Sequence, residues 1–123
     1  MIHHLHKHGV SLKNAWAGIV WSYKTQHNFR LHTIIASCVI FLGFGLHISN
    51  FEFAILILVI VLGLAIEAIN TAIEELADAI DTTWREDIKI AKDVSAGAML
   101  LFAFGSIIIA FIIFIPKFWM LIF

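Results

Sequence analysis

The fold is decided by the run FAILILVIVLGLAIEAINTAIEELADAID, which extends from Phe53 to Asp81. Its first fourteen residues, through Ile66, carry no charge, and a glutamate, an asparagine and several more carboxylates then follow. At about 1.5 Å per residue, this uncharged part covers about 21 Å of a hydrocarbon core about 30 Å thick. The run therefore predicts a helix that enters a membrane and carries acidic side chains into it.

The composition of the whole chain agrees with a membrane location. Of its 123 residues, 61% are hydrophobic, 14% are charged and one is proline. A water-soluble domain of this size leaves much of its surface exposed, so it could not hide that much apolar area. The predicted class is an all-α integral membrane protein. The net charge of −1 indicates little about partners, and we expect no nucleic-acid partner.

Apolar stretches divide this single domain into its expected segments. Residues 31–49, 51–81 and 89–115 predict three membrane helices, each near the length needed for one crossing. Residues 11–30 have apolar positions at helical spacing but are too polar to cross, which predicts an amphipathic helix on the membrane surface. Residues 1–10 form a polar tail rich in histidine.

The distribution of lysine and arginine predicts the orientation. The link between the first and second membrane helices has neither residue type, whereas the N-terminal segment and the second link are rich in both. Positive residues favour the cytoplasmic side, so we expect the N-terminus inside and the C-terminus outside. The residues concerned are Lys7, Lys13, Lys24, Arg30, Arg85, Lys89 and Lys92.

A stripe of polar side chains marks the end of the second membrane helix. At about 100° per residue, its five members fall within a sector of about 80°. A charged side chain at mid-membrane costs about 2.5–3.5 kcal/mol, so acids inside the apolar zone require partners or a purpose. The members nearest the cytoplasm are equally explained as solvated acids at a helix end. The stripe consists of Glu67, Asn70, Glu74, Asp78 and Asp81.

The depths of the two glutamates suggest different chemical roles. Glu67 lies inside the apolar zone, where a carboxylate can act as a general base. Glu74 lies at the boundary, where it can bind a hard divalent ion that arrives with phosphates. Lys92, at the start of the third membrane helix, is either a phosphate contact or a lysine that reaches for the interface. The sequence contains no phosphate-binding glycine loop, which excludes the common soluble kinase classes.

Two motifs strongly resemble the prokaryotic diacylglycerol kinase family of small membrane kinases. They are EAINTAIEELAD, from Glu67 to Asp78, and AKDVSAGA, from Ala91 to Ala98. The elements NFRLH, from Asn28 to His32, and IIFIPK, from Ile112 to Lys117, are more similar to the Gram-positive branch, which includes undecaprenol kinases.

The resemblance implies a homotrimer in the bacterial cytoplasmic membrane, with active sites shared between neighbouring subunits. The implied reaction transfers the γ-phosphate of ATP, bound with Mg²⁺, to a membrane lipid alcohol. Undecaprenol is the expected acceptor, and diacylglycerol is the alternative. A non-catalytic membrane assembly subunit, whose acids pair with Lys92 and Arg85 across helices, is an alternative of another class.

The resemblance also implies roles for individual residues. Glu67 matches the catalytic base, Asn70 and Ser95 match polar support for the substrate, and Glu74 matches a ligand of both metal and nucleotide. Gln26 stands where the family commonly has a metal-binding glutamate, and its uncharged amide is the weaker ligand. Asn14 stands where a tyrosine is usual. The other implied ATP-binding residues are Lys7, Thr83, Trp84, Arg85, Lys92 and Asp93, together with Asn14.

Overall fold

The computed structural model describes the backbone of residues 2–123 and the side chains of residues 11–123. Within this range the chain forms four α-helices and no strand. They are α1 (Ile2–Thr25), α2 (His27–Gly45), α3 (Asn50–Ile80) and α4 (Glu86–Ile122). α2, α3 and α4 are each long and apolar enough to cross a membrane. The predicted all-α class with three candidate membrane helices is confirmed.

The three apolar helices differ in length. α2 has 19 residues, α3 has 31 and α4 has 37. At about 1.5 Å per residue these correspond to about 28, 46 and 55 Å, so only α2 is as short as the hydrocarbon core. α3 and α4 therefore extend beyond the hydrocarbon, and the end of α3 carries the acidic residues.

A single extended residue, Gln26, separates α1 from α2 (φ −96°, ψ 117°). Nη1 of Arg30 donates to the carbonyl oxygens of Lys24, at 2.8 Å, and Tyr23, at 3.4 Å. These carbonyls end α1 and have no partner inside the helix, so the guanidinium stabilises the junction. α2 begins four residues before the predicted start at residue 31, because hydropathy does not detect a polar first turn.

The turn between α2 and α3 makes the two helices antiparallel. His47 has φ 52°, in the left-handed region, and directly follows the C-cap Leu46. Ser49 and Glu52 then form a capping box at the start of α3. The Ser49 hydroxyl accepts from the Glu52 amide at 3.2 Å, and the Glu52 carboxylate accepts from the Ser49 amide at 2.6 Å. This reciprocal pair fixes where α3 begins.

Two contacts define the packing of the bundle. At the end opposite the acidic residues, a cluster of buried side chains joins the turn, α3 and α4. In the middle, a Cβ atom added at Gly63 of α3 would lie 2.5 Å from the Phe102 ring of α4. Glycine is therefore needed for these helices to approach closely. The cluster comprises Ile48, Leu56, Ile113 and Phe114.

The outer surface of the bundle is apolar. Large side chains such as Leu101, at 76% exposure, Phe41, at 75%, and Phe104, at 60%, point away from the other helices. A contiguous apolar exterior of this kind is unfavourable in water and suits contact with lipid or with other membrane helices.

Further helix bounds differ from those predicted, including the end of α2, which is Gly45 rather than residue 49. α3 ends at Ile80, and Asp81 has an extended backbone (φ −160°, ψ 129°). Asp81 therefore does not belong to the helical stripe, because the helix has already ended. α4 passes through Pro116 and reaches Ile122, seven residues beyond the predicted end at residue 115. Proline removes one backbone donor but is tolerated in membrane helices, where apolar surroundings maintain the remaining hydrogen bonds.

The N-terminal helix also differs in extent from the expected surface segment. α1 runs from Ile2 to Thr25, so its backbone includes residues that the sequence assigned to the polar tail. The side chains of residues 1–10, with the predicted ATP contact Lys7, lie outside the described residues.

Candidate active site

The site is centred on a buried carboxylate in the second half of α3. Glu67 has 3% of its surface exposed, and the neighbouring polar residues Asn70 and Thr71 have 7% and 4%. α3 presents these side chains to the other helices because they share one face at helical spacing. The carboxylate that the sequence places inside the apolar zone is thus enclosed by the bundle itself.

A series of hydrogen bonds runs from α4 through α3 towards the acidic end of α3. The Ser95 hydroxyl donates to Oδ1 of Asn70 at 2.7 Å, and Nδ2 of Asn70 donates to Oε1 of Glu74 at 3.4 Å. Asn70, which the sequence predicted as polar support for the substrate, thus also holds the Glu74 carboxylate. These hydrogen bonds connect two helices, so the spacing of residues in the sequence could not predict them.

His32 of α2 is the closest basic side chain to Glu67 in the part of the chain with described side chains. Its Nε2 lies 3.9 Å from Oε2 of Glu67. The side chain of His32 is 30% exposed, compared with 4% for Glu67. Sequence reasoning did not assign His32 to the site. The only available signal was its place within NFRLH, at the start of an apolar stretch.

An apolar groove of about 300 Å³ lies between α2, α3 and α4, and His32 lines one end of it. The groove extends from His32 to Val39 on α2, a distance of about 10 Å at helical rise. Apart from His32 and Ser106, its lining side chains are apolar or glycine. A hydrocarbon chain fits such a lining, and the polar end of that chain would then lie beside His32 and Glu67.

Most charged residues predicted to bind ATP are paired with acids or bases of the same chain. Nζ of Lys92 donates to Oδ1 of Asp78 at 2.9 Å, which joins α4 to α3. Asp93 accepts a hydrogen bond from Lys89, one turn earlier on α4. Both pairs are exposed, so water weakens them and an arriving polyphosphate can compete for the lysines.

The loop between α3 and α4 is ordered by its own side chains. Oδ1 of Asp81 accepts from the backbone amide of Thr83 at 2.8 Å and from its hydroxyl at 2.7 Å. These two hydrogen bonds, the backbone one first, lower the pKa of Asp81 below its ordinary value. The Asp87 carboxylate accepts from Nε and Nη2 along one edge of the Arg85 guanidinium, and these hydrogen bonds raise the pKa of Arg85. Trp84 is 77% exposed between them.

Gln26 and Glu74 lie at the same level of the bundle. Gln26 precedes His32 by six residues, and Glu74 follows Glu67 by seven. Because α2 and α3 are antiparallel and His32 lies beside Glu67, both steps lead about 10 Å towards the acidic end of α3. Asn14 on α1 is exposed.

The oxygen donors at this level fit a magnesium ion that arrives with a nucleotide. No group of three or more His, Cys, Asp or Glu able to hold a metal was found among the described residues. Mg²⁺ does not require such a group, because it keeps several waters and uses one or two protein carboxylates together with phosphate oxygens. Glu74 is partly buried and held by Asn70, which provides one such carboxylate.

Three apolar helices that enclose a carboxylate, with further acids at one end, define a membrane protein whose site faces both hydrocarbon and water. The family model for prokaryotic diacylglycerol kinase matches residues 13–114, and the chain belongs to this family.

Two relatives are each 38% identical to this chain over the aligned residues. One is a diacylglycerol kinase of Synechocystis sp., aligned over 108 residues, which cover 87% of this chain and 62% of that protein. The other is the undecaprenol kinase of Bacillus subtilis, aligned over 107 residues, which cover 87% of each chain. The chain therefore spans less than two thirds of the first relative and most of the second.

Proposed function

We propose that this protein is a lipid kinase that transfers the γ-phosphate of ATP to a membrane lipid alcohol. The observation that carries the proposal is the position of Glu67, which is buried beside the end of an apolar groove. Glu74 lies about two turns nearer the cytoplasmic end. One glutamate is thus within reach of a lipid hydroxyl, and the other is within reach of a nucleotide in water.

In the proposed reaction, the lipid hydroxyl oxygen attacks the γ-phosphorus of ATP. A new oxygen–phosphorus bond forms while the bond to the β,γ-bridging oxygen breaks, and ADP leaves with that electron pair. The hydroxyl proton passes to the carboxylate of Glu67. A positioned base contributes about 10²–10⁴-fold to such a step.

Glu74 would hold Mg²⁺, with Gln26 as an uncharged neighbour at the same level. When bound, the ion neutralises charge on the phosphate oxygens. Ser95 and Asn70 orient the Glu74 carboxylate through their hydrogen bonds. When the nucleotide binds, Lys92 breaks its ion pair with Asp78 and contacts a phosphate oxygen.

The remaining nucleotide contacts in the proposal come from the loop and from the N-terminal helix. The loop residues are exposed at the cytoplasmic end of the bundle, where a nucleotide can approach from water. The residues concerned are Thr83, Trp84, Arg85, Asp93, Asn14 and Lys7.

Undecaprenol is the acceptor that we propose. Near His32 the groove is lined by apolar residues such as Ile35 and Leu64. A polyprenol has a hydroxyl as its only polar group, whereas diacylglycerol carries two ester groups next to its hydroxyl. Apart from His32 and Ser106, whose hydroxyl already donates to the Ala103 carbonyl, the groove offers those esters only apolar walls, which is unfavourable. The similarity to the Bacillus subtilis undecaprenol kinase over 87% of both chains also supports this choice.

We also propose that the protein acts as a homotrimer in the bacterial cytoplasmic membrane, with its N-terminus in the cytoplasm and its C-terminus outside. The apolar exterior of α2, α3 and α4 is compatible with packing against further copies. The bias of lysine and arginine supports the orientation.

A second candidate function is a non-catalytic assembly subunit. The ion pair between Lys92 and Asp78 favours it, because this pair joins two helices in the way that a structural role requires. Arg85 and Asp87 are only two residues apart, so their ion pair does not connect helices and does not support a structural role of this kind.

The experiment that separates these functions is a reconstituted assay. The purified protein is placed in phosphatidylglycerol vesicles that contain either undecaprenol or diacylglycerol, and phosphate transfer from Mg-ATP is measured. We expect faster transfer to undecaprenol. Preference for diacylglycerol would overturn the acceptor assignment alone, and absence of transfer to both lipids would overturn the kinase assignment.

A further inference from the structure

His32 lies between the two parts of the proposed site. Its imidazole lines the end of the apolar groove, and its Nε2 lies 3.9 Å from Oε2 of Glu67. A lipid chain in the groove would bring its hydroxyl to this imidazole and this carboxylate together. Within residues 11–123, His32 is the one side chain that both lines the groove and has a basic nitrogen within 4.0 Å of the Glu67 carboxylate.

Glu67 otherwise has few groups to orient it. Among residues 11–123, no lysine or arginine nitrogen lies within 4.0 Å of its oxygens, and no side chain donates a hydrogen bond to it. The side-chain amide of Asn70, the nearest one along α3, is already hydrogen-bonded to Ser95 and Glu74. A base must be held in the correct geometry, since a displacement of about 1 Å can reduce the rate about 10²-fold.

The backbone that carries His32 is well fixed. Arg30 binds the last carbonyl groups of α1, and the buried ring of Phe29 anchors the first turn of α2. The Thr33 hydroxyl donates to the Phe29 carbonyl at 2.8 Å. The imidazole therefore starts from a defined position, although its ring is partly exposed.

We propose that His32 is a positioning residue for Glu67, which directs the carboxylate towards the groove end where the lipid hydroxyl arrives. This inference rests on the proposed kinase function. At 3.9 Å the two groups are beyond hydrogen-bond distance. A movement of about 1 Å brings Nε2–H into hydrogen-bond range, and an occupied groove would favour it by excluding water.

The test compares three substitutions that differ in where they place a donor. His32→Gln carries an amide nitrogen near the position of Nε2, whereas the shorter amide of His32→Asn reaches only the position of Nδ1. His32→Leu removes both nitrogens and retains an apolar side chain. His47→Asn is the matched control, because His47 lies in the turn at the opposite end and asparagine tolerates its left-handed backbone.

Each protein is assayed in phosphatidylglycerol vesicles with undecaprenol and Mg-ATP, and kcat and both KM values are determined. We expect kcat to fall about 10²-fold in His32→Leu and His32→Asn, with the KM for ATP unchanged. We expect His32→Gln to recover most of this loss and His47→Asn to behave like the parent. Elution from a sizing column checks that each variant is folded.

The possible outcomes separate this inference from the proposed function. A parent that transfers no phosphate to either lipid alcohol overturns the function, and the inference with it. An active parent with equally active His32→Leu and His32→Asn overturns the inference alone. Equal loss in His32→Gln and His32→Asn also overturns it, because packing rather than a donor would then explain the effect. If His32→Leu does not fold, the comparison of glutamine with asparagine still decides.

Discussion

α3 carries one glutamate in its first turn and another near its centre, but the surroundings of the two side chains differ. Glu52, near the turn, accepts a hydrogen bond from the Ser49 amide at 2.6 Å and pairs with Lys117 of α4 at 3.1 Å. Glu67, fifteen residues later, is more deeply buried and has only His32 within 4 Å among the described basic residues. A carboxylate with all its partners supplied stabilises a fold, whereas one with few partners is available for chemistry.

The difference also extends to the supporting residues. The partners of Glu52 belong to a helix cap and to the neighbouring helix, where they determine how α3 begins. Around Glu67 and Glu74, the buried polar groups form a chain from Ser95 through Asn70. These hydrogen bonds orient the Glu74 carboxylate near water, and they do not determine where a helix begins or ends. The part of the bundle around Glu67 and Glu74 is therefore organised around a candidate site, and the part next to Glu52 around a turn.

The largest effect is expected when the same substitution is made at each of the two glutamates. Glu67→Gln should reduce kcat by about 10²–10⁴-fold, because an amide cannot accept the hydroxyl proton. Glu52→Gln should retain the parental rate while unfolding at a lower temperature, because the attraction to Lys117 is lost. The measurements are phosphate transfer in vesicles and thermal unfolding in detergent. Parental activity in Glu67→Gln would refute its role as the base.

The hydrogen-bond chain can be tested through its first member. Ser95→Ala removes the donor to Asn70 and should weaken the apparent affinity for Mg²⁺ about 10–100-fold, since residues that orient a metal ligand have effects of this size. Titration of activity with Mg²⁺ at saturating ATP measures the change. Ser37→Ala is the control, because the Ser37 hydroxyl binds only a carbonyl of its own helix. Equal Mg²⁺ dependence in both variants would contradict the proposed support.

Between the two glutamates, a substitution at Gly63 should change the free energy of unfolding. Gly63→Ala places a methyl group against the Phe102 ring and should cost about 1–3 kcal/mol, as overpacking does. Gly105→Ala on α4 is the matched control, because a Cβ atom there has no neighbour within 4 Å. Unfolding of both variants with denaturing detergent compares them. A loss of the same size at Gly105 would mean that helix packing is not the cause.

The smallest effect concerns the loop between α3 and α4. Hydrogen bonds from Thr83 lower the pKa of Asp81, so they stabilise the loop above the ordinary pKa of 3.8 and are lost as pH falls through the lowered value. The amide chemical shift of Thr83, followed by NMR in micelles, should therefore titrate with a midpoint below 3.8. Asp81→Asn should abolish the titration while keeping an acceptor oxygen. A midpoint above 3.8 would show that the turn does not form in solution.

Much of the fold could be predicted from the sequence. Hydropathy and length are sufficient to identify three apolar helices, because a chain in lipid must satisfy its backbone polar groups within helices. The positions of helix ends were less predictable. The first turn of α2 is polar, and Pro116 does not end α4, since hydropathy reports side chains whereas helices end where backbone hydrogen bonds stop.

The candidate site was predictable along one helix but not between helices. The spacing of Glu67, Asn70 and Glu74 places them on one face, and the structure has them there. The partner of Asn70 on α4 and the proximity of His32 to Glu67 depend on how separate helices pack. Asp81 was assigned to the stripe because a periodic pattern cannot indicate that the helix stops one residue earlier.

The sequence by itself determined the membrane class, the three apolar helices and the burial of one glutamate inside them, because these follow from hydropathy and helical period. Only the tertiary structure decided which groups meet: Ser95 with Asn70, His32 with Glu67, and Lys92 with Asp78. These pairs join residues far apart in the chain, and their distances depend on helix register and crossing. A linear pattern contains no information about either quantity.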